Sequence, residues 1–263
     1  MKRSKNFTKE QEKIKFIVPG LVCLLLFYLL PLGYCALFSF SATSGRFIFV
    51  GIKNYESLLT SGTFCMALGN TYLLLLTFLL VLNLLAILLV YFLDTAKKTL
   101  GLLLVCALPM LLPPALIARC MAEVEFSPRL TLLLIFLWRY LGFHVLLLKV
   151  VEMTMKKEWI EAAVLERATK WQIFTRIVCQ YLEPYQRLLL IFDVICFFRL
   201  FRENYLLFGA YPPDQVYTIS NFFFNNFQNL NYQRLSSAAM LALMPVLVLN
   251  LLLLKVGVKH EVV

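Results

Sequence analysis

Charge is scarce in this chain: 15% of its 263 residues are charged, against about a quarter in an ordinary soluble domain. Asp is scarcer still, with only Asp94, Asp193 and Asp214, which lie far apart. The two His, His144 and His260, pair with no acidic motif, so no HExxH metal frame exists. There are no paired acids and no Ser/Lys arrangement, which removes the usual machinery of an intramembrane enzyme. The seven Cys form no CxxC, and most fall inside apolar runs. They read as small hydrophobes rather than as metal ligands or disulfides. No GxxxxGK(S/T) occurs, so the chain does not bind ATP through a P-loop. Any work it does is driven by another subunit. No enzymatic activity, cofactor or metal is expected.

What is abundant is apolar length. Hydrophobic residues make up 61% of the chain, and the mean hydropathy is +0.79. Several runs reach the ~20 residues that cross a bilayer as a helix. A backbone in lipid must satisfy its own hydrogen bonds, so these runs are expected to be helices. They are too long and too uniform for the alternating strands of a β-barrel. Six spans are expected, at about Phe16–Phe40, Met66–Leu93, Leu100–Cys120, Leu130–Val151, Arg187–Leu207 and Ser236–Leu254. The first run is longer than the ~7–15 apolar residues of a signal peptide. Tyr34 before Cys35 is too bulky for a lipoprotein cleavage site. The expectation is an all-α polytopic protein: a cytoplasmic tail at 1–15, then a single membrane domain over 16–263.

The net charge of +10 does not point to nucleic acid, because the bases follow the membrane sides. With the N-terminus placed in the cytoplasm, segments 1–15, 94–99, 152–187 and 255–263 hold 16 Lys and Arg, and the outside loops hold four. That asymmetry predicts cytoplasmic N- and C-termini. The outside loops include the aromatic "GRFIFVGIKNY", a short acidic hairpin at 121–129, and the turn-rich segment 208–235.

One cytoplasmic stretch breaks the apolar pattern: "KKEWIEAAVLERATKWQIFTRIVCQYLEP", Lys156 to Pro184. Trp159, Ala162, Ala163 and Leu165 make one short amphipathic set. Trp171, Phe174, Val178 and Tyr181 make a second at helical spacing. The pattern predicts helix, tight turn near Arg167–Thr169, helix. An interfacial helix pair resting on anionic headgroups explains it. A knob for the groove of a soluble partner explains it equally.

Glu161-Ala162-Ala163, three residues, position 167, nine residues, Ile177 also match the frame of the EAA loop. On this frame the chain resembles the permease subunits of binding-protein-dependent ABC importers. "FVGIKNY" at Phe49–Tyr55, "NTYLLL" from Asn70, "LWRYLGFHVLLL" at Leu137–Leu148 and "FQNLNYQRLSSAAML" at Phe227–Leu241 extend the resemblance over nearly the whole chain. It is closest to the sugar-type permeases, relatives of the maltose and glycerol-phosphate systems. Two departures stand out. Arg167 replaces the family's Gly, and Cys179-Gln180 replace its Leu-Pro. If the turn needs φ > 0, Arg costs roughly 1–2 kcal/mol there.

The resemblance implies a type I importer fold in the cell membrane. It also implies a second permease, separate ATPase subunits gripped by the EAA loop, an extracellular solute-binding protein and a small solute of the sugar class. The coupling residues would be Glu161, Ala162, Ala163, Arg167 and Ile177. For the path itself, ionisable or polar residues inside spans are candidates: Asn83, His144 and Asp193. The bland alternative for these is an interhelical pair. Two further readings remain open: a permease relative that has lost tight coupling and serves assembly or regulation, and a secondary transporter, for which Asp193 is the one mid-span carboxylate.

Overall fold

The structure is a computed structural model that describes residues 17–43, 47–93 and 97–258, without the side chains of 97–99 and 253–258. The tail at 1–15 and His260 lie outside these residues. The described residues are helical, and their one extended pairing is an isolated bridge between Ser41 and Phe49. The helices are α1 (Ile17–Ser39, with a π turn at Leu25–Leu29), α2 (Lys53–Leu59), α3 (Gly62–Phe92) and α4 (Lys97–Ala107). After them come α5 (Pro114–Met121), α6 (Pro128–Glu152), α7 (Lys157–Leu165), α8 (Lys170–Ile173) and α9 (Cys179–Arg199). The last three are α10 (Phe201–Phe208), α11 (Ile219–Gln228) and α12 (Tyr232–Val258).

Among the described residues, four helices are long and apolar enough to cross a membrane: Ile17–Ser39, Gly62–Phe92, Pro128–Glu152 and Tyr232–Leu252. The expected third span is broken. Leu100–Leu111 and Pro114–Met121 meet at 97°. Pro109 lies in a 3-10 turn, and Leu112 and Pro113 are extended at ψ 143° and 142°. Each precedes a proline, whose ring disfavours helical geometry in the residue before it. The expected fifth span is α9 running into α10, and its helix begins earlier than Arg187. Glu183, Arg187, Asp193 and Arg199 make it too charged for a lipid-facing helix. It tolerates them by burying Arg187 and Asp193 inside the protein.

The chain forms two compact units, Met1–Cys65 with Asn225–Met244, and Met66–Phe224 with Pro245–Val263. In the first, the "KNY" of the aromatic loop fastens the end of α1. Asn54 Nδ2 donates to the carbonyls of Ser39 and Ser41, both at 2.9 Å. The Tyr55 hydroxyl donates to Ser39 Oγ at 2.7 Å, and Ser237 Oγ donates to the Ser39 carbonyl at 3.0 Å. Beyond that fastening, α1 leaves its apolar side chains exposed from Ile17 to Tyr34.

In the second unit, Phe78 of α3 packs on Phe136 of α6 and Phe197 of α9, with ring centroids 5.6 and 5.8 Å apart. A second cluster joins Ala86, Val90, Leu103, Val145 and Leu148 to Phe174, Val178 and Leu182. Close approach of α4 to α6 depends on Gly142. A Cβ there would meet the Cys106 carbonyl oxygen at 2.1 Å.

Candidate functional site

The charged stretch folds as helix, turn, helix. α7 ends at Leu165 with Glu166 as its C-cap, and Arg167 takes φ +60°. Arg167 N–H donates to the Val164 carbonyl and Ala168 N–H to the Ala163 carbonyl, both at 3.0 Å. This is the Schellman arrangement, whose left-handed residue is usually Gly. Arg167 holds that place with a side chain. Two residues on, Thr169 caps the next helix. Its N–H donates to Gln172 Oε1 at 2.8 Å, and Gln172 N–H donates back to Thr169 Oγ1 at 3.3 Å, a capping box. The helix then passes through a π turn at Phe174–Val178 and runs on as α9. With Cys179-Gln180 in place of Leu-Pro, nothing interrupts it there. Burial raises the pKa of the Cys179 thiol, which keeps it neutral, as a small hydrophobe should be.

The two arms of the stretch enclose an open groove of about 820 Å³. Ala162, Ala163 and Ile177 line it together with Trp159, Arg176 and Gln180. Glu161 and Arg167 are exposed and lie outside its lining. The groove is anchored to the membrane part from below. Phe174, Val178 and Leu182 are buried, and the Tyr91 ring of α3 meets Phe174 at 4.9 Å and Trp171 at 5.3 Å. Above the anchor, large apolar side chains stay open. Leu165 is 85% exposed and Val164 58%. Sequence reasoning placed Leu165 in the amphipathic set but missed that it points outward. Tyr91 was missed altogether, since no local pattern links it to a residue 80 positions away.

The structure brings the three path candidates together. Asn83 Nδ2 donates to Asp193 Oδ2 at 2.9 Å. His144 Nε2 lies 2.8 Å from Asp193 Oδ1. His144 Nδ1 is 2.9 Å from the Tyr140 carbonyl, and because a carbonyl only accepts, Nδ1 carries a proton. His144 and Asp193 are both fully buried. Asp193 thus ties α6 to α9 through His144, and Asn83 adds α3. Only Asn83 reaches a groove, of about 540 Å³, shared with Leu80, Leu84 and Arg187. Nearer the other end of α9, Arg139 pairs with the buried Glu203 and donates Nη2 to the Leu112 carbonyl at 3.1 Å. That carbonyl is freed by the proline break.

No family model matches the chain. It is 26% identical over 284 residues to the arabinooligosaccharides transport system permease protein AraP of Bacillus subtilis (strain 168), across 95% of this chain and 90% of that protein. Its fold matches a chain of a bacterial ABC transporter involved in the import of the acidic polysaccharide alginate, with a TM-score of 0.81, 18% identity and 99% of each chain covered. A second match is to a bacterial alginate ABC transporter in complex with an alginate pentasaccharide-bound periplasmic protein. Its TM-score is 0.77, with 19% identity and 95% and 94% of the two chains covered.

Proposed function

We propose that this chain, a membrane-embedded ABC importer permease subunit of the sugar type, forms part of the path by which a carbohydrate enters the cell. It is a transport component and not an enzyme. Its path is driven through the 152–187 loop by ATPase subunits on the cytoplasmic side. A second permease completes the path, and a solute-binding protein delivers sugar from outside. Six spans with both termini cytoplasmic put the loop on the ATPase side, in keeping with the distribution of Lys and Arg. The oligosaccharide named for the sequence relative supports a sugar as solute. The periplasmic protein named in a fold relative supports a binding protein as partner.

The observation that carries this reading is the Schellman turn at Arg167. The helix–turn–helix closes around its groove although the Gly of the EAA frame is missing. A relic loop would have no reason to hold a left-handed Arg and a complete capping box. The exposed Trp159, Val164 and Leu165 also fit a soluble partner's apolar groove better than a bare cytoplasmic face.

The test is a tagged pull-down from native membranes in mild detergent, with the bound proteins identified by mass. The expected eluate holds a P-loop ATPase and a second permease. Recovery of the chain alone would overturn the coupling role and leave an interfacial or regulatory one.

A further inference from the structure

Three guanidinium groups converge on one small cavity in the second unit. Arg139 of α6, Arg199 at the end of α9 and Arg202 of α10 line a space of about 80 Å³ beside Tyr140 and Cys196. One carboxylate serves all three. Glu203, fully buried, takes Arg139. The Arg139 Nε is buried without an acceptor. Arg199 and Arg202 are exposed, and among the described residues neither has a carboxylate within ion-pair distance. The rim therefore carries two positive charges that the protein does not balance.

Arg139 lies in the interior of α6, and Arg199 and Arg202 lie where α9 runs into α10. Arg139 is roughly 16 Å along α6 from its first residue, at 1.5 Å per residue, inside a helix long and apolar enough to cross a membrane. Cations inside such helices face a bundle interior or a watered path and take a partner. The 97° break at the prolines frees the Leu112 carbonyl that holds Arg139. The break thus positions the guanidinium fork rather than merely interrupting a span. The guanidinium forks of Arg199 and Arg202, which meet no carboxylate among the described residues, suit planar oxyanions, gripped with two parallel bonds. The cavity, at about 80 Å³, has room for a small oxyanion.

We infer that Arg139, Arg199 and Arg202 recognise an oxyanion carried by the translocated saccharide, making the solute an acidic sugar. The charged substituent enters the cavity while the ring stays in the path. This rests on the permease reading above and adds the substrate class to it.

The experiment uses the full chain, with the subunits that co-purify with it, in nanodiscs of phosphatidylcholine alone. The probes are trigalacturonate and its fully methyl-esterified, neutral counterpart. The acid should bind at least about tenfold more tightly, the scale of one charge-assisted contact, and the margin should shrink with salt. Arg199→Gln with Arg202→Gln should abolish the margin, and Arg199→Lys with Arg202→Lys should restore part of it. Equal affinity for acid and ester, binding of neither, or a margin untouched by the Gln pair overturns the inference. Displacement of the acid by added phosphatidylglycerol assigns the arginines to lipid headgroups and overturns it as well. Co-purification of an ATPase reads the permease proposal separately: its absence beside an intact margin removes the importer and leaves the anion site.

Discussion

The N–H of Ala168 reaches back to the carbonyl of Ala163 at 3.0 Å, and the bond closes over an Arg, not a Gly, at φ +60°. A left-handed residue with a Cβ costs roughly 1–2 kcal/mol relative to Gly. Arg167→Gly should therefore raise the stability of the loop by about 1 kcal/mol. Limited proteolysis of the loop in reconstituted membranes would report it as slower cleavage. Arg167→Val should go the other way, because a β-branched side chain is worse at positive φ. Equal protection of all three variants would mean that the turn does not limit loop opening.

Gly142 lets α4 and α6 approach to backbone distance. The Cβ of Gly142→Ala would lie 2.1 Å from the Cys106 carbonyl oxygen, and the obstacle is backbone, not a flexible side chain. The helices must separate, at a cost of about 1–3 kcal/mol. A detergent thermal melt should show a clear fall in Tm. Gly69→Ala, where a Cβ meets nothing within 4 Å, serves as the silent control.

Asp193 holds both His144 and Asn83 from a fully buried position. Removing the carboxylate strands the imidazole, so Asp193→Leu should destabilise the chain by about 3 kcal/mol. Asp193→Leu with His144→Phe removes both buried polar groups and should recover much of that loss. Chemical denaturation of the four members of this cycle gives the coupling directly. Additive losses would show that the 2.8 Å approach contributes nothing.

The helix–turn–helix was legible because apolar spacing and a short acidic-basic alternation are local signals. The absent Gly even marked the residue that turned out left-handed. The break at 97° was also written in Pro109, Pro113 and Pro114, but the apolarity of the run masked it. The pairings were not legible. Asn83 and Asp193 lie 110 positions apart, and Arg139 and Glu203 lie 64 apart. A single sequence flags each as costly in lipid without naming its partner. That is why the sequence flags His144 and Asp193 separately, while the structure brings them into contact.

The groove at the coupling stretch separates shape from charge. Ala163 and Ile177 line it, while Glu161 and Arg167 sit exposed outside the lining. If an ATPase seats against the small side chains, Ala163→Trp should abolish its co-purification, since a bulky ring would fill the space a partner needs. Glu161→Ala and a charge swap at Arg167 should weaken docking only several-fold, because exposed charges contribute up to about 1 kcal/mol. None of the three should lower the melting temperature of the chain by itself, since all three positions lie outside the buried clusters. Quantified pull-downs at two salt concentrations distinguish the terms. Loss in Ala163→Trp at both salts with small, salt-sensitive losses in the charge variants is the expected order. The reverse order would make the loop a charge-read surface, and full retention in Ala163→Trp would remove the groove from the coupling mechanism.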